Sequence, residues 1–83
     1  MHLTLYHFDA CPYCVRVRDF IAKEGMTIPM KDTRVNPAHR EELIKIGGKP
    51  QVPCLVIDGK ALYESTDIID WLKHNKQLIG NKK

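Results

Sequence analysis

Two cysteines with two residues between them are the side chains in this sequence best suited to chemistry, in the segment Cys11-Pro12-Tyr13-Cys14. A Cys-x-x-Cys pair at the start of a helix can cycle between dithiol and disulfide, and so exchange electrons with other sulfur atoms. Residues 2–7 before it alternate polar and apolar side chains, which predicts a strand. Pro12 suits the first position of a helix, because that position needs no backbone N–H and proline already has a helical φ.

The helix predicted after the motif makes the two thiols unequal. Cys11 is expected at or beside its N-cap, where unpaired N–H groups and the positive end of the helix dipole stabilise a thiolate. Cys14 lies one turn further into the helix and is expected to be more shielded. We therefore expect Cys11 to attack a disulfide and Cys14 to resolve the mixed disulfide that forms.

Length and composition narrow the function classes. The 83 residues predict a single domain over residues 1–83, and 43% hydrophobic with 28% charged residues are ordinary values for a globular protein. The formal charge of +3 is mild and its cations are scattered apart from Lys82-Lys83, so no nucleic-acid partner is expected. The sequence has no long apolar stretch and no signal-peptide pattern, so no membrane partner is expected. Three cysteines, an odd number, favour a cytoplasmic location over a secreted disulfide framework.

Periodicity and turn residues predict an α/β domain with the element order β-α-β-α-β-β-α. The third and fourth strands read as a hairpin around Asp58-Gly59, the strongest short hairpin signal in the chain. The other predicted elements, in chain order, are a helix from Pro12 to about Glu24, an edge strand at 26–31 interrupted by Pro29, a helix opened by Asn36-Pro37 and ended by Gly47-Gly48, and a third helix capped by Ser65.

With the cysteine motif before the first helix and Val52-Pro53 before the third strand, this order resembles the glutaredoxins, the glutathione-dependent branch of the thioredoxin-like fold. The resemblance implies a four-stranded mixed sheet flanked by three helices. It implies glutathione as cosubstrate, with no tightly bound cofactor. It further implies that Pro53 is the family's cis-proline, and that Val52 pairs its backbone with the cysteinyl part of glutathione.

The segment Glu64-Ser65-Thr66 is similar to the glutathione-site motif of glutathione transferases and of the larger, transferase-like glutaredoxins. By that resemblance, the hydroxyl and N–H of Ser65 and the N–H of Thr66 bind the γ-glutamyl carboxylate at a helix N-terminus. Glu64 is then expected to hold the substrate ammonium. Tyr13 is expected to form an exposed wall of the substrate groove.

The chain departs from the common glutaredoxin pattern at two points. Ordinary small glutaredoxins have Gly-Gly and then an acidic pair near the point where this chain has Glu64-Ser65, and the second departure is at Phe8. Phe8 stands where that pattern has a lysine three residues before the first cysteine. The glycine carboxylate of glutathione is therefore left to other groups, and the candidates are Gln51, Lys49 and Arg16.

Metal binding is the main alternative use of the cysteines. A Cys-x-x-Cys can form half of a zinc site, which Cys54 would help to complete, or hold an iron–sulfur cluster together with external glutathione. A redox role is favoured, and no metal ligand is assigned. Cys54 is interpreted as a buried apolar filler, with a third reactive thiol as the alternative. The four histidines follow no ligand spacing and receive no role, and Arg16, Arg18 and Lys23 are interpreted as a solvated helix face.

The predicted function is a glutathione-dependent thiol–disulfide oxidoreductase, acting as a monomer on disulfide-containing or glutathionylated proteins. Two alternatives stay open. One is a transferase-like domain that binds glutathione for conjugation, although such enzymes normally add an all-helical domain after the third helix, and conjugation does not require two cysteines. The other is a non-catalytic thioredoxin-fold module that binds a metal or a partner through the same face.

Overall fold

The predicted element order is the one found in the computed structural model, which describes residues 2–79. The basic pair Lys82-Lys83 lies outside these residues. The strands are β1 (Leu3–His7), β2 (Met30–Asp32), β3 (Cys54–Ile57) and β4 (Lys60–Tyr63), and the helices are α1 (Pro12–Lys23), α2 (Pro37–Gly47) and α3 (Ser65–His74). A short 3₁₀ turn, Lys76–Leu78, follows α3. Within residues 2–79 no helix is long and apolar enough to cross a membrane.

The four strands form one mixed sheet in the order β2-β1-β3-β4. β1 runs parallel to β2 and antiparallel to β3, and β3 continues antiparallel into β4. The parallel pair is connected through α1, so the carboxyl ends of β1 and β2 meet at one edge, where His7 is the register partner of Asp32. The loop that carries Cys11 starts at that same edge.

Alternation along the strands divides the core between the two faces of the sheet. On one face, α1 and α3 pack over the strands through nine buried side chains: Leu5, Val17, Ile21, Met26, Ile28, Leu55, Ile68, Leu72 and Ile79. On the other face, α2 packs over a smaller cluster made of Tyr6, Leu43, Cys54 and Val56. The larger cluster therefore anchors α1, the helix that begins at the cysteine motif.

Local signals explain where the first two helices begin and end. Asn36 caps α2 by accepting the N–H of Ala38 at 3.0 Å. Gly48 ends that helix with φ of 89°, and its N–H donates to the Ile44 carbonyl at 2.7 Å. Gly25, with φ of 69°, follows α1 in the same left-handed conformation, which few other residues adopt without strain.

Two predicted boundaries were wrong, and the approximate end of the first helix agrees to within one residue. The strand expected at 26–31 spans only Met30–Asp32, because Pro29 has no N–H to donate and contributes only its carbonyl, which accepts from Leu5 at 2.9 Å. The first helix ends at Lys23, with Glu24 as its C-cap. The N-cap of α3 is Glu64 and not Ser65, which is the first helical residue.

Candidate active site

Cys11 lies at the start of α1, where the sequence predicted it. It is the N-cap residue, with extended backbone (φ −81°, ψ 114°), and Pro12 begins the helix. The Sγ atom of Cys11 accepts the backbone N–H of Cys14 at 3.2 Å. A donor aimed at sulfur from a helix N-terminus is the arrangement that solvates a thiolate. The residue is buried, with 6% of its surface exposed.

Cys14 has no exposed surface. Its burial, and then its hydrogen bond with Cys11, raise the pKa of the Cys14 thiol from 9.0 to about 12, because a charged sulfur is poorly solvated there. Cys14 therefore keeps its proton at neutral pH. The expected difference in shielding between the two thiols is confirmed, and all three cysteines of the chain are free thiols.

A cavity of about 390 Å³ opens beside the motif. It is lined by Tyr13, Gln51, Val52, Pro53, Glu64 and Ser65, so three distant segments meet around it. This volume is in the range of small-molecule sites, roughly 300–1,000 Å³. All six lining residues were predicted to bind glutathione, and that role stays a prediction.

The central segment of this cavity carries a cis peptide bond between Val52 and Pro53. Pro53 is buried and leads directly into β3, whereas Val52 is half-buried and lines the cavity. Tyr13 is 62% exposed and forms the expected outer wall.

The third segment is the turn from β4 into α3. Glu64 has a φ of 75° and provides no side-chain cap to α3, so no side chain at the cap position occupies the first N–H groups of this helix. The amide of Gln51 donates to the Glu64 carboxylate at 3.2 Å, across the cavity. Ser65, the first residue of α3, is buried at the helix N-terminus with 7% of its surface exposed. An uncapped helix N-terminus beside a hydroxyl group can bind a carboxylate.

Three other candidate residues are not among those that line the cavity. Thr66 is exposed in the first turn of α3, and Arg16 is exposed on α1. Lys49 is exposed as well, with its ammonium 4.6 Å from the ring centre of Tyr63. Of the three candidates for the glycine carboxylate, only Gln51 lines the cavity.

Cys54 follows the cis-proline but belongs to the smaller core cluster, with no exposed surface. Burial raises the pKa of its thiol to about 11. This environment favours the interpretation of Cys54 as a packing residue, since a reactive thiol needs access and thiolate character.

Sequence reasoning missed a group of charged side chains beside the cysteine loop. Arg18, interpreted from the sequence as part of a solvated face, has a side chain only 28% exposed and lies 3.7 Å from the Asp9 carboxylate. His7 is 93% buried, since its exposed fraction is 7%, and it faces Asp32 across the β1–β2 pair. No periodicity in the sequence marks these positions, because the parallel pairing of two strands brings them together.

Comparison with known proteins is consistent with this geometry. Residues 5–80 match the family model described as the glutathione S-transferase N-terminal domain. Glutaredoxin 3 of Escherichia coli K12 is 30% identical over 67 residues, which are 81% of this chain and 81% of that protein. Prostaglandin E synthase 2 of Danio rerio is 38% identical over 74 residues, 88% of this chain and 19% of that protein.

Solved structures agree on the fold. Glutathione transferase Omega 3C from Trametes versicolor matches 93% of this chain with a TM-score of 0.78 and 28% identity, over 34% of its own length. A thioredoxin-like protein matches 87% of this chain with a TM-score of 0.74 and 25% identity, over 95% of its length.

The chain thus spans about a fifth of the prostaglandin synthase and a third of the transferase, but most of glutaredoxin 3. The sheet order, the dithiol at the start of α1 and these matches agree with one another. The chain belongs to the glutaredoxin-type proteins of the thioredoxin-like fold and carries a glutathione S-transferase N-terminal domain.

Proposed function

We propose that this protein is a glutathione-dependent thiol–disulfide oxidoreductase that acts through Cys11 and Cys14. The observation that carries the proposal is the placement of the Cys11 sulfur on the Cys14 N–H, 3.2 Å away, beside a cavity to which Tyr13 of the same motif contributes. Membership of the glutaredoxin-type proteins supports it. Its partners are then glutathione and proteins that contain disulfides or glutathionylated cysteines.

The proposed orientation of glutathione in the cavity follows from the three segments that line it. The backbone of Val52 pairs with the cysteinyl part, which directs the glutathione sulfur toward Cys11. The γ-glutamyl carboxylate meets the hydroxyl of Ser65 and the first N–H groups of α3, including that of Thr66. Glu64, whose carboxylate is held by Gln51, accepts from the γ-glutamyl ammonium.

The simplest reaction needs only Cys11. Its thiolate attacks the glutathione sulfur of a mixed disulfide, a new Cys11–glutathione disulfide forms, and the protein thiolate leaves and takes up a proton. A second glutathione thiolate then attacks the glutathione sulfur bound to Cys11. Oxidised glutathione leaves, and Cys11 returns as a thiolate.

Disulfides within proteins use both cysteines. Cys11 attacks one sulfur and forms a mixed disulfide with the substrate, and the second substrate thiol is released. The Cys14 sulfur, after losing its proton, attacks Cys11 and displaces the substrate. The negative charge of Cys11 is one of the causes that raise the pKa of Cys14, so the mixed disulfide, which removes that charge, makes Cys14 easier to deprotonate. Two glutathione molecules then reduce the Cys11–Cys14 disulfide.

The test is reduction of a small glutathione mixed disulfide, coupled to glutathione reductase, for wild type, Cys11→Ser and Cys14→Ser. We expect Cys11→Ser to lose more than about 99% of the activity, because the attacking sulfur is gone. Cys14→Ser should keep a substantial fraction, since the first reaction does not use it. Cys54→Ala is the matched thiol control and should resemble wild type.

An inactive wild type would overturn the proposal, as would equal losses in Cys11→Ser and Cys54→Ala. A protein disulfide as substrate separates the two routes, because there Cys14→Ser should stall at the mixed disulfide, which mass spectrometry detects.

The match to the transferase domain favours a second candidate function, conjugation of glutathione to an electrophile. In that reaction the nucleophile is the glutathione sulfur, and the free helix N-terminus at Ser65 serves only to bind. Assay of the same variants with an aryl halide distinguishes the two, because conjugation would require neither cysteine, whereas disulfide reduction requires Cys11.

A further inference from the structure

Three potential metal ligands meet at the carboxyl ends of β1 and β2, apart from the cavity residues. His7 ends β1, Asp32 ends β2, and Asp9 lies in the loop between β1 and Cys11. One donor atom from each of the three lies within 4.8 Å of the other two. The parallel register places His7 and Asp32 side by side.

One ring nitrogen of His7, Nδ1, has no hydrogen-bond partner among the described residues. The residue is 7% exposed, and the Nδ1 atom itself is buried. A buried polar atom without a partner is unusual, since nearly all such atoms are paired in native structures. An unpaired imidazole nitrogen is a common ligand for transition-metal ions.

The guanidinium group of Arg18 lies beside this cluster but neutralises its carboxylates only partly. Its nearest guanidinium nitrogen, Nη1, is 3.7 Å from the Asp9 carboxylate, which is long for an ion pair with a hydrogen bond. Its Nε is itself buried with no partner among the described residues. Asp32 uses Oδ1 to accept the backbone N–H groups of Arg34 and Val35, at 2.8 and 2.9 Å. The second oxygen of Asp32 does not take part in those bonds.

From this arrangement we infer that His7, Asp9 and Asp32 form a binding site for a divalent transition-metal ion. One imidazole nitrogen and two carboxylate oxygens suit ions such as Mn²⁺, Fe²⁺, Co²⁺ or Zn²⁺, whereas Mg²⁺ and Ca²⁺ prefer oxygen ligands alone. The two carboxylates balance the charge of the ion. Three protein ligands leave at least one position for water or another small ligand.

Binding requires only a small closure. Ligand atoms lie about 2.0–2.2 Å from such an ion, so the three donors must come somewhat closer together than they are now. Asp9 is exposed in its loop and can supply that movement. Because Asp9 precedes Cys11 by two residues, a bound ion would tie the loop before the motif to the end of β2. The site uses no cysteine, so it does not depend on the proposed redox function.

The first experiment titrates the full-length protein with Mn²⁺, followed by electron paramagnetic resonance of the free ion. Mn²⁺ prefers oxygen and nitrogen over thiolate ligands, so Cys11 and Cys14 compete little. We expect Asp9→Asn, Asp32→Asn and His7→Gln each to weaken binding at least about tenfold, since each removes one ligand. The Asp32→Asn variant keeps a side-chain oxygen that can still accept the backbone N–H groups of Arg34 and Val35. Asp19→Asn, an exposed carboxylate on α1, is the matched control and should bind as wild type does.

Arg18→Gln provides a test in the opposite direction. If Arg18 competes with the ion for Asp9, this variant should bind Mn²⁺ several-fold more tightly than wild type. Thermal unfolding of each apo variant checks the fold, and the exposed Asp9→Asn keeps the test valid if His7→Gln does not fold.

Absence of Mn²⁺ binding by wild type, with no Zn²⁺ binding by a Cys11→Ser/Cys14→Ser variant in calorimetry, would overturn the inference. So would equal weakening by Asp9→Asn and Asp19→Asn. The disulfide-exchange assay is read separately, so failure of the metal site and failure of the proposed function are distinguishable.

Discussion

The two thiols of the motif have different surroundings: the Cys11 sulfur accepts a backbone N–H, whereas burial raises the pKa of the Cys14 thiol. Cys11 faces the N–H groups at the start of α1, whereas Cys14 lies among core side chains that cannot solvate a charge. Ser65 resembles Cys11 in that it is a buried residue at the N-terminus of a helix, here α3. Two proposed contacts therefore lie at helix N-termini: that of Cys11 with the glutathione sulfur and that of Ser65 with the γ-glutamyl carboxylate.

Ser65→Ala tests the second of these contacts. The variant keeps the backbone N–H but loses the hydroxyl bond to a carboxylate, a bond worth about 1.5–3 kcal/mol. We expect the KM for glutathione to rise about tenfold or more with kcat little changed, because the contact does not change during sulfur exchange. Steady-state kinetics at varied glutathione measures this.

The control for Ser65→Ala is Asp70→Asn, an exposed position on the same helix beyond its first turn. A KM for Ser65→Ala that equals the wild-type value would remove Ser65 from the glutathione site. A rise of the same size in Asp70→Asn would point instead to a general effect of α3.

At the scale of elements, the contact between α2 and β4 depends on the absence of a side chain. A Cβ added at Gly47 would overlap the Tyr63 hydroxyl and lie 3.0 Å from the Ala61 Cβ. That hydroxyl donates to the Lys49 carbonyl at 3.0 Å, so it is held in place. The C-terminal turn of α2 therefore packs on β4 only because residue 47 is glycine.

Gly47→Ala should lower the free energy of unfolding by about 1–3 kcal/mol, the usual range for overpacking. Tyr63→Phe removes the hydroxyl and so should relieve part of that loss in the double variant. Urea denaturation of the four proteins gives the coupling energy between the two sites.

Gly48→Ala separates the overlap from backbone strain. Gly48 has φ of 89° and nothing within 4 Å of an added Cβ, so its substitution costs energy through the backbone alone. Tyr63→Phe should not relieve that cost. Additive effects of Gly47→Ala and Tyr63→Phe would show that the overlap does not limit the packing.

Across the whole molecule, several groups that lose protons at high pH are buried in their neutral forms. Burial raises the pKa of Cys14 and Tyr6 to about 12 and that of Cys54 to about 11, from 9.0, 10.0 and 9.0. For Tyr6, a hydrogen bond to Glu42 adds to the effect of burial. Above the unfolded values the unfolded chain loses these protons first, so deprotonation favours unfolding.

We therefore expect stability to be constant with respect to these groups below about pH 9 and to fall as the pH rises from there toward about 12. Each such group contributes a slope of up to about 1.4 kcal/mol per pH unit. Urea unfolding over this range measures the slope. Cys54→Ala removes one titrating group and should reduce the slope by up to about 1.4 kcal/mol per pH unit. A free energy of unfolding that does not change up to about pH 11 would contradict the prediction.

Much of this fold and site follows from local residue chemistry. Pro12 after Cys11, Asn36 before Pro37 and Gly48 after α2 specify helix ends through groups within a few residues of one another. All six residues that line the cavity had been predicted as glutathione contacts, from the resemblance to glutaredoxins and to glutathione transferases and, for Gln51, from the departure at Phe8. The cap of α3 was wrong by one residue, because Glu64 takes a positive φ of 75° in the turn from β4, which no side-chain preference indicates.

By itself, then, the sequence determined the element order and the helix that begins at Cys11, because those depend on neighbours in the chain. Only the tertiary structure decided how deeply each thiol is buried and which remote groups meet. The parallel pairing of β1 with β2 brings Asp32 beside His7, and the fold half-buries Arg18, which the helical pattern had placed in solvent. Register and burial arise from contacts between distant segments, so no local pattern encodes them.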